Sequence, residues 1–200
     1  MQARAIDTFR SPAALLCFFG TFIIGFTADL ISKSLAVAYL KGGARIHLIP
    51  HFIRLEYTEN RGAVFGIGQG QRPLFLVVSV AAIAFLVYLF STSGRARFYQ
   101  FVLGMLMAGV LGNLYDRITL GYVRDMIHGL PGVYWPAWVV HLLPASWQPL
   151  TPGGQLDVFP WIFNIADSLL CVGVFLMVVY SFVAEQRRKR ADNSVERAAP

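Results

Sequence analysis

The chain has 200 residues, of which 56% are apolar and only 14% are charged, and its mean hydropathy is +0.56. A soluble domain usually carries about 25% charged residues. This composition excludes a cytosolic enzyme, a disordered tail and a secreted disulfide scaffold, and it indicates an integral membrane protein. The net charge is +6, but no basic stripe alternates with aromatic residues, so nucleic acid is not an expected partner.

Long runs without charged residues predict the membrane-spanning helices, because about 20 apolar residues are needed to cross a bilayer as a helix. A proline directly after Ser11 is typical of a helix start. The four predicted transmembrane helices cover residues 11–32, 73–92, 98–116 and 159–183.

Lysine and arginine set the expected orientation of these helices. They are concentrated in the N-terminal segment, in the 92–98 loop and in the basic tail of residues 185–200. Positively charged loops favour the cytoplasmic side. We therefore expect both termini to be cytoplasmic and the two long connections to lie on the outer side.

The two long connections differ in character. Residues 41–70 contain short β-prone stretches interrupted by Pro50 and several glycines, which predicts a small extracytoplasmic β-rich region. Residues 127–157 are rich in Pro, Gly and Trp, and Trp favours the membrane–water interface. The predicted fold class is an all-α membrane protein, a single domain over residues 1–200, with four transmembrane helices and a small extracytoplasmic β-rich subdomain.

Aspartates within or beside the apolar runs are the main candidates for function, because an Asp at a helix centre costs about 2.5–3.5 kcal/mol to insert. Asp29 and Lys33 are spaced i, i+4, which predicts a structural ion pair. Asp125 follows Arg124 in a connecting segment, where the sequence alone favours a solvated ion pair. Asp167 has no neighbouring cation and is the strongest candidate.

An Asn-x-x-Asp pattern occurs twice, at Asn113 and Asp116 and again at Asn164 and Asp167. The i, i+3 spacing places each amide and carboxylate on one helix face, so the two patterns can face a common interior. Asp116 is also next to Arg117, which favours an anchoring role at the helix end. The residues alone therefore make Asp116 and Asp167 the more symmetric pair.

Three classes of function fit a membrane protein with inward carboxylates. An aspartic hydrolase would activate water between one protonated and one ionised carboxyl. A small proton-coupled transporter would relay protons through buried acids. A structural subunit would use the acids only as ion pairs. The histidines show no metal-ligand spacing, and His47, His51, His128 and His141 are expected to be surface residues.

Five sequence blocks resemble those of bacterial lipoprotein signal peptidase (signal peptidase II), and they occur in the family's order: DLISK, NRGAVFG, GNLYDR, VRD and FNIADS. The resemblance implies a multi-pass aspartic endopeptidase of the bacterial inner membrane. It would cut diacylglyceryl-modified prolipoproteins before the lipidated cysteine, without a metal or cofactor. Membrane lipids are the other expected partner, and we expect a monomer.

The resemblance also implies roles for individual residues. The catalytic pair of the family corresponds to Asp125 and Asp167, rather than to the symmetric pair. Other matching positions would bind substrate or brace the site: Asn60, Asn113, Asp116, Arg117, Asn164, Asp29 and Lys33.

The chain departs from the family pattern in two places. Arg124 and Met126 flank the first aspartate where the family usually has an apolar residue and Phe, and residues 127–157 form an insertion. A neighbouring cation would favour the ionised form of Asp125 unless Arg124 points away.

Overall fold

The computed structural model describes residues 8–62, 70–142 and 155–198. Its helices and strands, in chain order, are α1 (Pro12–Leu40), β1 (Ile46–Ile49), β2 (Ile53–Asn60), α2 (Arg72–Thr92), α3 (Arg97–Thr119), β3 (Val123–Gly129), α4 (Ala137–Val140), β4 (Ile162–Phe163) and α5 (Ile165–Ala198).

Four helices of the described chain are long and apolar enough to span a membrane: α1, α2, α3 and the Ile165–Arg190 part of α5. The prediction of four apolar helices is thus confirmed, with shifted ends. The first helix continues to Leu40 because Asp29 and Lys33 are buried inside the protein and do not end it. The last begins at Ile165 rather than at residue 159, since Ile162–Phe163 pairs with β3 instead.

Helix α3 is the centre of the bundle and packs against the other three spanning helices. In the most apolar stretch of α3, 72% of the residues are buried, whereas the corresponding stretches of the other three helices are 11–17% buried. Glycine allows the close approach, since a Cβ at Gly104 would lie 2.5 Å from the carbonyl oxygen of Phe18 on α1. Of the four described spanning helices, α3 is the most strongly buried, and it carries Asn113 and Asp116 in the protein interior.

The strands form one antiparallel sheet in the order β1-β2-β3-β4. The β-rich region predicted at residues 41–70 supplies only β1 and β2, and its residues 63–69 lie outside the described part. The other two strands, β3 and β4, follow α3 and precede α5. The predicted all-α class therefore fits only the membrane-spanning part. The sequence pattern predicted no strand after residue 70, whereas β3 and β4 both lie there.

The insertion at residues 127–157 begins within β3 and includes the short helix α4. A β-bridge between Tyr134 and Asp157 closes the described part of it. Trp135 is 41% exposed and Trp138 is 69% exposed, which is compatible with the expected interfacial location. Residues 143–154, which include Trp147, are outside the described range.

The expectation of surface histidines is wrong for His128, which is buried on β3. Its Nδ1 atom contacts the Glu56 carboxylate, and its Nε2 atom lies 3.1 Å from the carbonyl oxygen of Phe159. Burial would raise the pKa of Glu56, but hydrogen bonds from Arg54 and His128 outweigh it and lower that pKa. His128 thus joins the sheet to the segment that follows the insertion.

Candidate active site

Asp125 lies in the middle of β3 and is buried, with 1% of its surface exposed. Asn60 on β2 donates from Nδ2 to Asp125 Oδ2 at 3.0 Å. Asn164 donates from Nδ2 to Asp125 Oδ1 at 2.6 Å. The expected solvated pair with Arg124 is wrong, because successive side chains of a strand point to opposite faces.

Asp167 lies in the first turn of α5, and the Asn-x-x-Asp pattern there is a helix cap. The Asp167 backbone N–H donates to Asn164 Oδ1 at 2.9 Å, and the Asn164 backbone N–H donates to Asp167 Oδ2 at 3.2 Å. This reciprocal arrangement is a capping box. Asn164 therefore precedes the helix, whereas Asn113 and Asp116 are inside α3.

Asn164 connects the two carboxyl groups. Besides capping α5 and contacting Asp125, its Nδ2 donates to Asn113 Oδ1 at 3.2 Å. Asn113 in turn donates from Nδ2 to Asp167 Oδ1 at 2.8 Å. The pKa of Asp125 is raised to about 7, mainly by burial and to a smaller extent by the negative charge of Asp167. A carboxyl with this pKa can hold or release a proton near neutral pH.

A second group of charged side chains, which we call the buried ion cluster, consists of Asp29, Lys33, Asp116 and Arg124. The expected pair is present, with Lys33 Nζ 2.7 Å from Asp29 Oδ2. Lys33 Nζ is also 3.5 Å from Asp116 Oδ2, and the Arg124 guanidinium is 2.7 Å from Asp116 Oδ1. Asp29 Oδ1 accepts from the backbone N–H of Ala166 at 2.9 Å, which ties the cluster to the start of α5.

Arg117 is directed toward the chain that leaves β2. Its guanidinium donates to the carbonyl oxygen of Gly62 at 3.1 Å, and it lies 5.0 Å from the centre of the Phe75 ring. Asp116 therefore has an anchoring role as predicted, but its partners are Arg124 and Lys33 rather than Arg117. The NRGAVFG block begins at this contact, but its residues 63–66 are among those not described.

The structure brings eight of the nine sequence-derived candidates into two adjoining groups, and the ninth, Arg117, instead contacts Gly62 and Phe75. Asn60, Asn113 and Asn164 surround the Asp125 and Asp167 carboxyls, and Asp29, Lys33 and Asp116 lie in the buried ion cluster. Sequence reasoning missed Arg124 as a member of that cluster; the alternation of β3 would have revealed it. Among the described residues, no group of three or more His, Cys, Asp or Glu side chains is placed to hold a metal ion.

The fold and site together define a multi-pass membrane protein with a buried carboxyl group, Asp125, and a half-buried one, Asp167, near one end of its helices. The family model described as signal peptidase (SPase) II matches residues 21–183. The chain therefore belongs to the signal peptidase II family.

Comparisons with individual proteins agree with this family. The lipoprotein signal peptidase of Caldanaerobacter subterraneus is 32% identical over 74% of this chain and 84% of its own length. That of Rhodopirellula baltica is 35% identical over 82% of this chain and 71% of its own length. A solved bacterial membrane enzyme superposes with a TM-score of 0.67 and 28% identity, over 84% of this chain and 88% of that chain.

Proposed function

We propose that this protein is an aspartic endopeptidase that removes the signal peptide from diacylglyceryl-modified prolipoproteins, cutting before the lipidated cysteine. Membership of the signal peptidase II family and the names of its relatives support the reaction. Nothing in the comparisons supports the transporter alternative. The observation that carries the catalytic type is that Asn164 hydrogen-bonds to both carboxyls: its side-chain amide donates to Asp125, and its backbone N–H donates to Asp167.

In the proposed mechanism, Asp125 and Asp167 share one proton, because two adjacent carboxyls that are largely shielded from water do not both ionise readily. The ionised carboxylate accepts a proton from water, which attacks the scissile carbonyl carbon. The protonated carboxyl donates toward the developing oxyanion. Asn60, Asn113 and Asn164 hold the carboxyl oxygens in fixed orientations through the hydrogen bonds described above, so little reorganisation is needed during the reaction.

The substrate's lipid chains would remain in the bilayer while its backbone reaches the carboxyls. Both carboxyls lie where spanning helices meet the sheet: Asp167 is in the first turn of α5, and Asp125 follows the end of α3. A lipid anchor would therefore deliver the scissile bond at a constant depth, which lowers the entropic cost of alignment.

We also propose that the protein is a monomer in the bacterial inner membrane, with the sheet on the extracytoplasmic side. The distribution of Lys and Arg supports this orientation. Reporter fusions after Gly70 and after Gly154 should report an external location, and a fusion after Gly94 an internal one. An internal signal from either of the first two would refute the proposed topology.

The activity is tested with purified protein in lipid vesicles and a synthetic diacylglyceryl-modified prolipoprotein. Mass spectrometry should find a released signal peptide and a product that begins with the lipidated cysteine. The matched control is the same peptide without the diacylglyceryl group, which should be cleaved at least about tenfold more slowly if lipid anchoring aligns the substrate. An intact lipidated substrate would contradict the proposal.

A further inference from the structure

Arg124 is adjacent to Asp125 in sequence, but its side chain binds Asp116. The guanidinium NH2 group donates to Asp116 Oδ1 at 2.7 Å, and Nε lies 3.2 and 3.1 Å from the two carboxylate oxygens. The Arg124 backbone N–H also donates to Asp116 Oδ2 at 3.0 Å. Asp116 thus binds both the side chain and the backbone of Arg124, and these contacts hold the start of β3 against the end of α3.

Arg124 also balances charge within the buried ion cluster. Asp29, Lys33 and Asp116 each have no exposed side-chain surface, and Arg124 is only 11% exposed. The cluster has two carboxylates and two cations. Without the Arg124 guanidinium, Lys33 alone would have to compensate two buried negative charges, and breaking a buried pair in this way is costly.

Two short paths connect this cluster to the proposed catalytic carboxyls. Along the backbone, Arg124 directly precedes Asp125. Through side chains, Lys33 Nζ donates to Asn113 Oδ1 at 3.1 Å, and the Asn113 amide donates to Asp167. Displacement of Asp116 or Lys33 would therefore disturb both Asp125 and Asp167. In the described part of the chain, the Arg124 guanidinium contacts neither of these two carboxyls directly, so its effect on them is indirect.

We propose that Arg124 is a positioning residue for the peptidase reaction: by neutralising and holding Asp116, it keeps Asp125 and Asp167 in their catalytic arrangement and sets the charge that they experience. This inference rests on the proposed function.

Removing the guanidinium should alter proton binding by the two carboxyls. It leaves one extra negative charge beside them, which favours their protonated forms. The charged groups that face them from the surrounding elements are Asp29 and Lys33 of α1, Asp116 and Arg117 of α3, and Arg124 of β3. At an effective dielectric constant near 20, one unit charge about 10 Å away moves an apparent pKa by about one unit.

The test compares Arg124→Met with Arg124→Lys and with the double variant Arg124→Met/Asp116→Asn, in which the charge balance is restored. Arg124→Met should lower kcat about tenfold per folded molecule, change KM by less than about twofold, and move the alkaline limb of the pH–kcat profile up by about one unit. The Lys variant and the double variant should keep the wild-type limb. Arg72→Met is the matched control, because Arg72 donates to the Ile118 carbonyl oxygen at the exposed end of α3, away from the buried ion cluster.

A second readout does not require cleavage. Infrared titration of the protonated carboxyl band, assigned by its loss in Asp125→Asn, should show the same upward shift in Arg124→Met. If the wild type does not cleave substrate but this shift is present, the proposed function fails while the electrostatic role of Arg124 stands.

Two results would overturn the inference. One is an Arg124→Met protein with a lower melting temperature but a wild-type pH profile and kcat per folded molecule, which would make Arg124 merely structural. The second result applies if Arg124→Met does not fold and cannot be purified. In that case, the charge-balance argument is contradicted if the alkaline limb of the double variant Arg124→Met/Asp116→Asn is shifted from that of the wild type.

Discussion

Asn164 is the residue on which the two proposed catalytic carboxyls depend most directly, and two substitutions separate its roles. Asn164→Ser keeps a side-chain oxygen that can cap α5 but loses the amide that donates to Asp125. Asn164→Ala loses both functions. Both variants remove the 2.6 Å hydrogen bond to Asp125 Oδ1.

The magnitudes follow from the contacts of Asn164, which is completely buried. A hydrogen bond to a charged group contributes about 1.5–3 kcal/mol. Because about 1.4 kcal/mol corresponds to a tenfold change in rate, both variants should lose about 10- to 100-fold in turnover. Loss of the cap in the Ala variant should cost about 1 kcal/mol more in stability.

The assay measures cleavage of the lipidated prolipoprotein, normalised to the folded fraction from thermal melts in detergent. The Ser and Ala variants should share the turnover defect, and only Ala should show the larger drop in melting temperature. Ser168→Ala is the matched control on the same helix turn, since the Ser168 hydroxyl donates to the Asn164 backbone carbonyl rather than to either carboxyl. Wild-type turnover in both Asn164 variants would refute the role of the shared amide.

Two further predictions concern pH and the insertion. Because burial and Asp167 raise the pKa of Asp125 to about 7, the catalytic proton should be lost above that pH. The value of kcat/KM should therefore fall about tenfold per pH unit on the alkaline side. An activity that stays constant up to pH 9 would argue against a shared proton. Replacing residues 133–151 with a short Gly/Ser linker should leave some cleavage and raise KM, since the described hydrogen bonds of the two carboxyls go to Asn60, Asn113 and Asn164, which lie outside this segment. Complete loss of cleavage in a correctly inserted protein would show that the insertion takes part in the chemistry.

The sequence predicted the membrane-spanning helices because their signal is local: an apolar run of sufficient length has few alternatives to a transmembrane helix. It also predicted the Asp29–Lys33 pair, because the i, i+4 spacing fixes that contact within one helix. The helix ends were less accurate, since burial against α3 allows α1 to continue through both charged residues.

The sheet and the partners of the site residues depend on contacts distant in sequence. β4 has only two residues and pairs with β3 across the insertion, so no periodicity could indicate it. The pairing of Arg124 with Asp116 likewise requires knowledge that residues 123–129 form a strand. Spacing alone favoured Asp116 and Asp167, whereas the family resemblance indicated Asp125, which the structure places against the same asparagine that caps Asp167.

The most direct test of the central claim is turnover per folded molecule for Asp125→Asn, Asp167→Asn and Asp116→Asn with the lipidated prolipoprotein. Each of the first two should reduce turnover by at least about 10²- to 10⁴-fold while the protein remains folded. Asp116→Asn should lower the melting temperature, because it leaves Arg124 unpaired, but the folded fraction should keep residual activity well above that of the other two variants. Near-normal turnover of Asp125→Asn, together with a stable and inactive Asp116→Asn, would contradict the account and assign the chemistry to Asp116 and Asp167.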